Sequence, residues 1–379
     1  MFNTKEGSTG RLIQLCIAYF FFYVITGLTV KYFLGSANKG LPGMHGFEFL
    51  AYSTLGSVIL IAPFTIIMKW YRLQSARLVS IGSLKIPIEL FYIIPSGLCT
   101  GIIIPTTTIM YSLPISVMVA MIIMRGAVII ISRCVDAIQI KQGILKKSVY
   151  WEENIAVIFA VCAIGIHMVW AINGGGFDFI HSVVAMGTLL AYVGSYALRI
   201  YIMNYFKNTA GKGVKRDNKA FFSWEQYSAL ITLGLVTLIV FKSPEWFGWR
   251  ASQIIDFNHA ITMPHTMWGW AILAGTAFGF CSFFSVFIFM FKGRTATFAG
   301  LVNRLTSLVA GTTATLLFWL AFSGKFPKMQ DWLSLGFIIV AIVFLTRAEK
   351  KRARELEITK ELDDDVANGN AETKKEQAA

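Results

Sequence analysis

Long apolar runs alternate along this chain with short polar segments in which most of the charge is gathered. Ten such runs are recognised, at 12–30, 49–68, 90–112, 113–132, 155–172, 180–206, 226–241, 267–291, 295–322 and 332–346. A bilayer core about 30 Å thick needs roughly 18 or more predominantly apolar helical residues, and most of these runs reach that length. The seventh and tenth reach it only with Trp224 or Arg347 placed at the interface, where aromatic and snorkelling basic side chains are tolerated. Backbone groups in hydrocarbon must find their hydrogen bonds internally, so the pattern predicts an all-α polytopic membrane protein of ten transmembrane helices. The first run is too long for the apolar region of a secretory signal and no cleavage site follows it, so it is read as the first span.

Composition agrees: of 379 residues 55% are hydrophobic and only 15% charged, too few charges to cover soluble domains of this size. The net charge of +13 would suit a nucleic-acid binder only if it were gathered on one solvated face, and here the Lys and Arg fall between apolar runs. With ten spans the two termini share one side of the membrane. That side holds 25 of the 34 basic residues, against 6 on the other, which places both termini in the cytosol. The five cysteines lie within or at the ends of the runs, so they form no disulfide framework. No histidine spacing suits a metal, and neither a metal nor a cofactor is expected.

The chain divides into 1–206, which holds the first five spans and the sixth; a basic loop, 207–221; the remaining spans, 222–346; and a cytosolic tail, 347–379. The two five-helix halves meet near 173–179, and the segment Lys207 to Lys219, with its two glycines, is read as the linker between them. The tail is expected to be a short basic helix that frays into disorder. A shift of 179 positions places Ile109 to Gly165 on Ile288 to Phe344 without a gap, so that Arg125 falls on Arg304 and Glu152 on Asp331. Five spans per half is odd, so the halves would have opposite orientation. Such a 5+5 inverted repeat is an architecture of secondary transporters, which hold substrate near the midplane and alternate access around it.

Arg125 and Arg304 lie deep in the fourth and ninth spans, where each costs roughly 2.5 to 3.5 kcal/mol on insertion scales. Glu48, Glu89, Glu225 and Asp331 are all placed at span ends, leaving no carboxylate at the depth of the arginines. Two cations facing a cavity without resident counter-charge predict an anionic small-molecule substrate, held by the bidentate geometry that suits carboxylate or phosphate. The alternative is that both guanidinium groups hydrogen-bond helix carbonyls as packing glue. Tyr23, Tyr192 and Tyr196 either stack on a substrate ring and donate hydrogen bonds or face the lipid interface. His167 either carries a proton or is a satisfied packing residue. Gly275 and Gly279 permit close helix packing or mark a homodimer seam, and Pro63, Pro95, Pro105 and Pro114 are static kinks or gate hinges.

The segment Ser112-Leu113-Pro114 with Arg125 following, then Gly126-Ala127-Val128-Ile129-Ile130, resembles the fourth span of the solute carrier family 35 transporters, within the drug/metabolite transporter superfamily. Gly300-Leu301-Val302-Asn303-Arg304-Leu305 is similar to the Gly-Ala-Leu-Asn-Lys motif of that family's ninth span, with Arg for Lys. Met124 to Ile130 and Thr26 to Lys31 look closest to the F subfamily. The resemblance implies a ten-helix antiporter of nucleotide sugars or other phosphorylated metabolites. Arg125 and Arg304 would hold the negative group, Asn303 and Gly300 would shape the pocket, and Tyr23, Tyr192 and Tyr196 would line the cavity from spans one and six. Trp224-Glu225-Gln226-Tyr227 stands where the GDP-mannose carriers have Phe-Tyr-Asn-Asn, which disfavours that substrate; Met118 and Ile122 replace tyrosines of the CMP-sialic acid type. Export of a neutral metabolite and a non-transporting receptor or scaffold are the competing readings; an enzyme would need an intramembrane carboxylate, His pair or Ser/His arrangement, and none is recognised.

Overall fold

The computed structural model describes residues 7–75, 77–112, 117–173, 183–209, 217–324 and 326–376. Among these the chain forms eleven α-helices: α1 (Thr9–Phe33), α2 (Gly46–Ile67), α3 (Leu90–Ser112), α4 (Val117–Lys141), α5 (Trp151–Asn173), α6 (Val183–Asn208), α7 (Asn218–Trp246), α8 (Ser252–Thr262), α9 (Trp268–Phe289), α10 (Ala296–Phe322) and α11 (Met329–Glu376). Pro63, Pro95 and Pro105 lie inside helices that continue through them, whereas Pro114, the segment 174–182 in which the halves are expected to meet and most of the basic linker, 210–216, fall outside the described residues.

Eight of the helices, α1, α2, α3, α5, α7, α9, α10 and α11, are long and apolar enough to cross a membrane, so the protein is an all-α polytopic membrane protein. The expected number is ten. Two further long helices, α4 and α6, of 25 and 26 residues, are not among the eight. Arg125, Arg133, Asp136 and Lys141 lie on α4, and Tyr192, Tyr196 and Arg199 share one side of α6. The seventh run, short in the sequence, belongs to a helix of 29 residues. The helix begun by the tenth run continues past Arg347 to Glu376, longer than the short basic helix expected there.

Two elements carry no signal in the hydrophobic pattern. A two-stranded antiparallel hairpin, β1 (Leu78–Ile81) and β2 (Leu84–Pro87), joins α2 to α3. The 11-residue α8 is too short to span. The Tyr52 hydroxyl of α2 donates to the Ala260 carbonyl at 2.8 Å and accepts from the His265 N–H at 3.1 Å, which pins α8 and its following turn to the bundle. Around it Trp246, Phe247, Trp249, Trp268 and Trp270 are exposed, the composition of a membrane–water interface.

Helix association in lipid draws little from the hydrophobic effect and depends on close backbone approach at small residues. α5 lies along α11, α2 along α9, α3 along α6 and α7, α1 along α9 and α10, and α4 along α5, α6 and α10. A Cβ on Gly275 would stand 2.1 Å from the Ser53 carbonyl oxygen and one on Gly279 would stand 2.6 Å from that of Ser57, so this glycine pair serves packing of α9 on α2. Gly97 and Gly101 do the same for α3 on α7, where a Cβ would meet Ser228 at 2.4 Å and Thr232 at 2.6 Å. Gly275→Ala is accordingly expected to destabilise the bundle by about 1–3 kcal/mol through enforced backbone shifts. Gly187→Ala, at a position open on all sides, is the matched control, and thermal unfolding in detergent reads both.

The N-terminus and the α11 extension occupy the same end of the bundle, where the α9–α10 turn is held from many directions. Arg294 pairs with Glu349 of α11 and donates to the Gly7 carbonyl at 3.1 Å; Thr9 donates to the same glutamate at 2.9 Å. Lys207, closing α6, donates to the carbonyls of Phe289 at 3.1 Å and Arg294 at 2.8 Å, and Asn218 donates to that of Met290 at 3.1 Å. Asp136 of α4 accepts from the N–H groups of Ala296 and Thr297 at 2.8 and 2.6 Å, capping the positive end of α10 with a buried carboxylate. Lys147 reaches the Gly293 carbonyl at 3.4 Å, and its ammonium pKa is lowered by burial first and then by Arg352 and Arg294.

Candidate functional site

Arg125 projects from α4 and Arg304 from α10, two helices that run antiparallel in contact. Arg304 lies about 12 Å along α10 from its start at Ala296. The Arg125 Nη2 donates to the Tyr23 hydroxyl at 3.1 Å, with the guanidinium carbon 5.9 Å from that ring. Arg304 is 8% exposed, and its guanidinium carbon lies 5.1 Å from the centre of the Tyr196 ring. A cation–π contact such as that of Arg304 contributes about 2 kcal/mol when desolvated, a fraction of what burying a charged guanidinium costs.

The tyrosines are arranged in matching pairs. Tyr19 and Tyr23 of α1 meet edge to face with centroids 5.6 Å apart; Tyr192 and Tyr196 of α6 lie 4.8 Å apart. Both pairs have the four-residue spacing that stacks side chains on one helix face. In each pair the later tyrosine meets one arginine, Tyr23 with Arg125 and Tyr196 with Arg304, and Tyr19 and Tyr192 stand within electrostatic range of Arg304 as well. Tyr192 is buried and Tyr23 and Tyr196 half-buried. Five of the seven sequence-selected residues or their immediate neighbours are therefore gathered in one cluster between α1, α4, α6 and α10. Tyr19 is the addition, visible in the sequence only as the residue one turn before Tyr23.

The other two selected residues face neighbouring helices. Asn303 donates from Nδ2 to the Ser285 Oγ of α9 at 2.9 Å. Gly300 provides clearance: a Cβ there would stand 2.3 Å from the Ser132 Oγ, so the glycine lets α4 and α10 approach closely beside Arg304. An apolar groove of about 420 Å³ between α4 and α6, lined by Ile130, Cys134, Ile138, Gly194, Leu198 and Tyr201, contains none of the site residues.

Glu225 requires a correction. It does not sit at a span end but inside α7, which begins at Asn218, and it is fully buried. Arg199 of α6, 5% exposed, donates to it twice, from Nε to Oε1 at 2.8 Å and from Nη2 to Oε2 at 3.1 Å. Ser96 and Thr100 of α3 donate to the same Oε1 at 2.7 and 3.4 Å. This buried carboxylate is thus consumed by a third arginine. No ion pair joins a carboxylate to Arg304 among the described residues, and the Arg304 Nε is buried without a hydrogen-bond partner. A buried donor left open in this way costs about 1–3 kcal/mol, more when it is charged.

No protein-family model and no curated protein matches the sequence. Among solved structures, one described only as the crystal structure of a protein superposes with a TM-score of 0.54 at 11% identity, over 91% of this chain and 99% of its own. At that identity the likeness is one of fold: this chain folds along its described length like a solved protein of about the same extent.

Proposed function

We propose that the protein is a secondary transporter that exchanges an organic anion across the bilayer by alternating access, the substrate being a nucleotide sugar or another phosphorylated metabolite. The observation that carries this reading is Arg304, buried, without a carboxylate partner among the described residues, with an open Nε and beside a tyrosine pair, on the helix that packs against the one carrying Arg125. An anionic group at Arg304 would supply the acceptor its Nε lacks and a counter-charge, and rings of the substrate would find the aromatic faces of the neighbouring tyrosines.

In this reading α4 and α6 also cross the membrane, giving ten spans as a 5+5 inverted repeat, with α1 to α5 corresponding to α6, α7, α9, α10 and α11. The helix pairing supports it. Exchanging each helix for its counterpart turns α3 on α7 into α9 on α2, α3 on α6 into α9 on α1, and α1 on α10 into α6 on α4, and all of these pairs exist. The glycine pairs Gly97/Gly101 and Gly275/Gly279 correspond, as do Tyr19/Tyr23 and Tyr192/Tyr196. The resemblance of spans one, four and nine to solute carrier family 35 points the same way. Both termini face the cytosol, so the network around Arg294 closes the cytosolic end and the substrate exchanges toward the opposite side in this conformation.

A thermal-shift screen of the purified protein against nucleotide sugars, nucleoside phosphates, sugar phosphates and neutral metabolites tests the reading, since a ligand that binds only the folded state raises its stability by about 2.7 kcal/mol at a hundred times its Kd. Stabilisation by one phosphorylated class is expected. Stabilisation by neutral compounds alone would replace the anion exchanger with a neutral-metabolite exporter.

A further inference from the structure

The sequence context of His167 suits either a proton carrier or a satisfied packing residue, and its surroundings are not those of a satisfied one. It is 9% exposed, and its Nδ1 is buried with no hydrogen-bond partner among the described residues. Its Nε2 faces the Oδ1 of Asp331 at 3.9 Å, while the other oxygen of that carboxylate accepts the Lys328 N–H at 2.8 Å. Contact between α4 and α5 brings the imidazole toward the anion site: a Cβ on Gly126 would lie 3.4 Å from the Ile164 side chain, and the antiparallel run of the two helices then sets Arg125 and His167 within about one turn of each other.

Among the described residues the charged groups around the imidazole can be named helix by helix. α11 presents Asp331, and α4 presents Arg125. Lys31 of α1 stands within range of the same Asp331. α10, also packed on α5, carries Arg304 as its one charged residue, eight positions from its cytosolic start. Burial first and then the guanidinium oppose the charged form of the imidazole, and the carboxylate favours it. An anion bound at Arg125 offsets the guanidinium and leaves the carboxylate.

We propose that His167, poised on Asp331, is a proton-linked element of the anion site: in its imidazolium form it adds a positive charge beside Arg125, so that anion and proton bind together on the side away from the cytosol. The inference rests on the anion-exchanger reading above. The proton comes from water on that side and resides on the imidazole, and no bond other than N–H forms or breaks. By linkage the proton tightens anion binding and the anion raises proton affinity by the same factor, about tenfold as such couplings run.

The test uses the full chain in detergent, with sulfate and UDP-glucose as probes because neither changes charge across the imidazole range. Apparent affinities are read by thermal shift at about pH 5.5 and about pH 8, on either side of the unperturbed imidazole pKa of about 6.5. The native protein is expected to bind about tenfold more tightly at the lower pH, His167→Gln to show the weak affinity at both, and His167→Arg, with a permanent charge, to show the tight affinity at both. His167→Asn stands in if the glutamine variant fails to fold. Binding that needs Arg125 and Arg304 yet is indifferent to pH, or keeps its pH dependence in both neutral variants, overturns the proton link and leaves the anion site standing. Absence of binding by the native protein at either pH removes the link together with the site.

Discussion

Proteoliposomes carrying Arg304→Gln are expected to lose counterflow of the anion that stabilises the native protein, and Arg125→Gln to lose it as well. Removing one partner of a buried, hydrogen-bonded charge pair costs about 2–5 kcal/mol, which is roughly 30-fold or more in affinity. The loss should be larger for Arg304, whose neighbours among the described residues are tyrosines and whose Nε has no other partner. Lysine at either position keeps the charge without the planar fork and should retain part of the activity. Arg354→Gln, on the exposed face of the α11 extension, is the matched surface control. Glutamine variants that fold and transport at the native rate would return the arginines to packing.

The second large effect concerns stability. Glu225→Leu strands Arg199, a residue 5% exposed whose two hydrogen bonds to that carboxylate would have no replacement. Breaking a buried pair by removing one partner costs about 3–5 kcal/mol, whereas replacing both by apolar groups of similar volume is often neutral or better. Glu225→Leu is therefore expected to lower the unfolding midpoint sharply and the double variant Arg199→Met/Glu225→Leu to recover most of the loss. A single variant as stable as the native chain would mean that water reaches Arg199. In the proposed repeat, Ser96 and Thr100, which complete the pair on α3, correspond to Ala274 and Phe278 of α9 by the same offset that relates the glycines, so these two donors are not repeated there.

The hydrophobic pattern by itself determined that the chain is a helical polytopic membrane protein, because the length of an apolar run and the need to satisfy backbone hydrogen bonds in lipid are local requirements. It also singled out Arg125 and Arg304, since a lone charge in an apolar run stands out without any knowledge of the fold. The α7 start, the hairpin and α8 were hidden for the converse reason: polar helix ends and interfacial segments have the composition of loops. Only the tertiary structure decided which charges are spent. Glu225 looks like a span end and is a buried partner of Arg199, Asp136 looks like a loop acid and caps α10, and Asn303 and Gly300 face α9 and α4. The tyrosine pairing likewise depends on which helix face meets which arginine. Those outcomes are set by contacts between residues far apart in the chain, and in a bilayer, where apolar faces barely distinguish lipid from protein, the periodicity of a single helix does not reveal its neighbour.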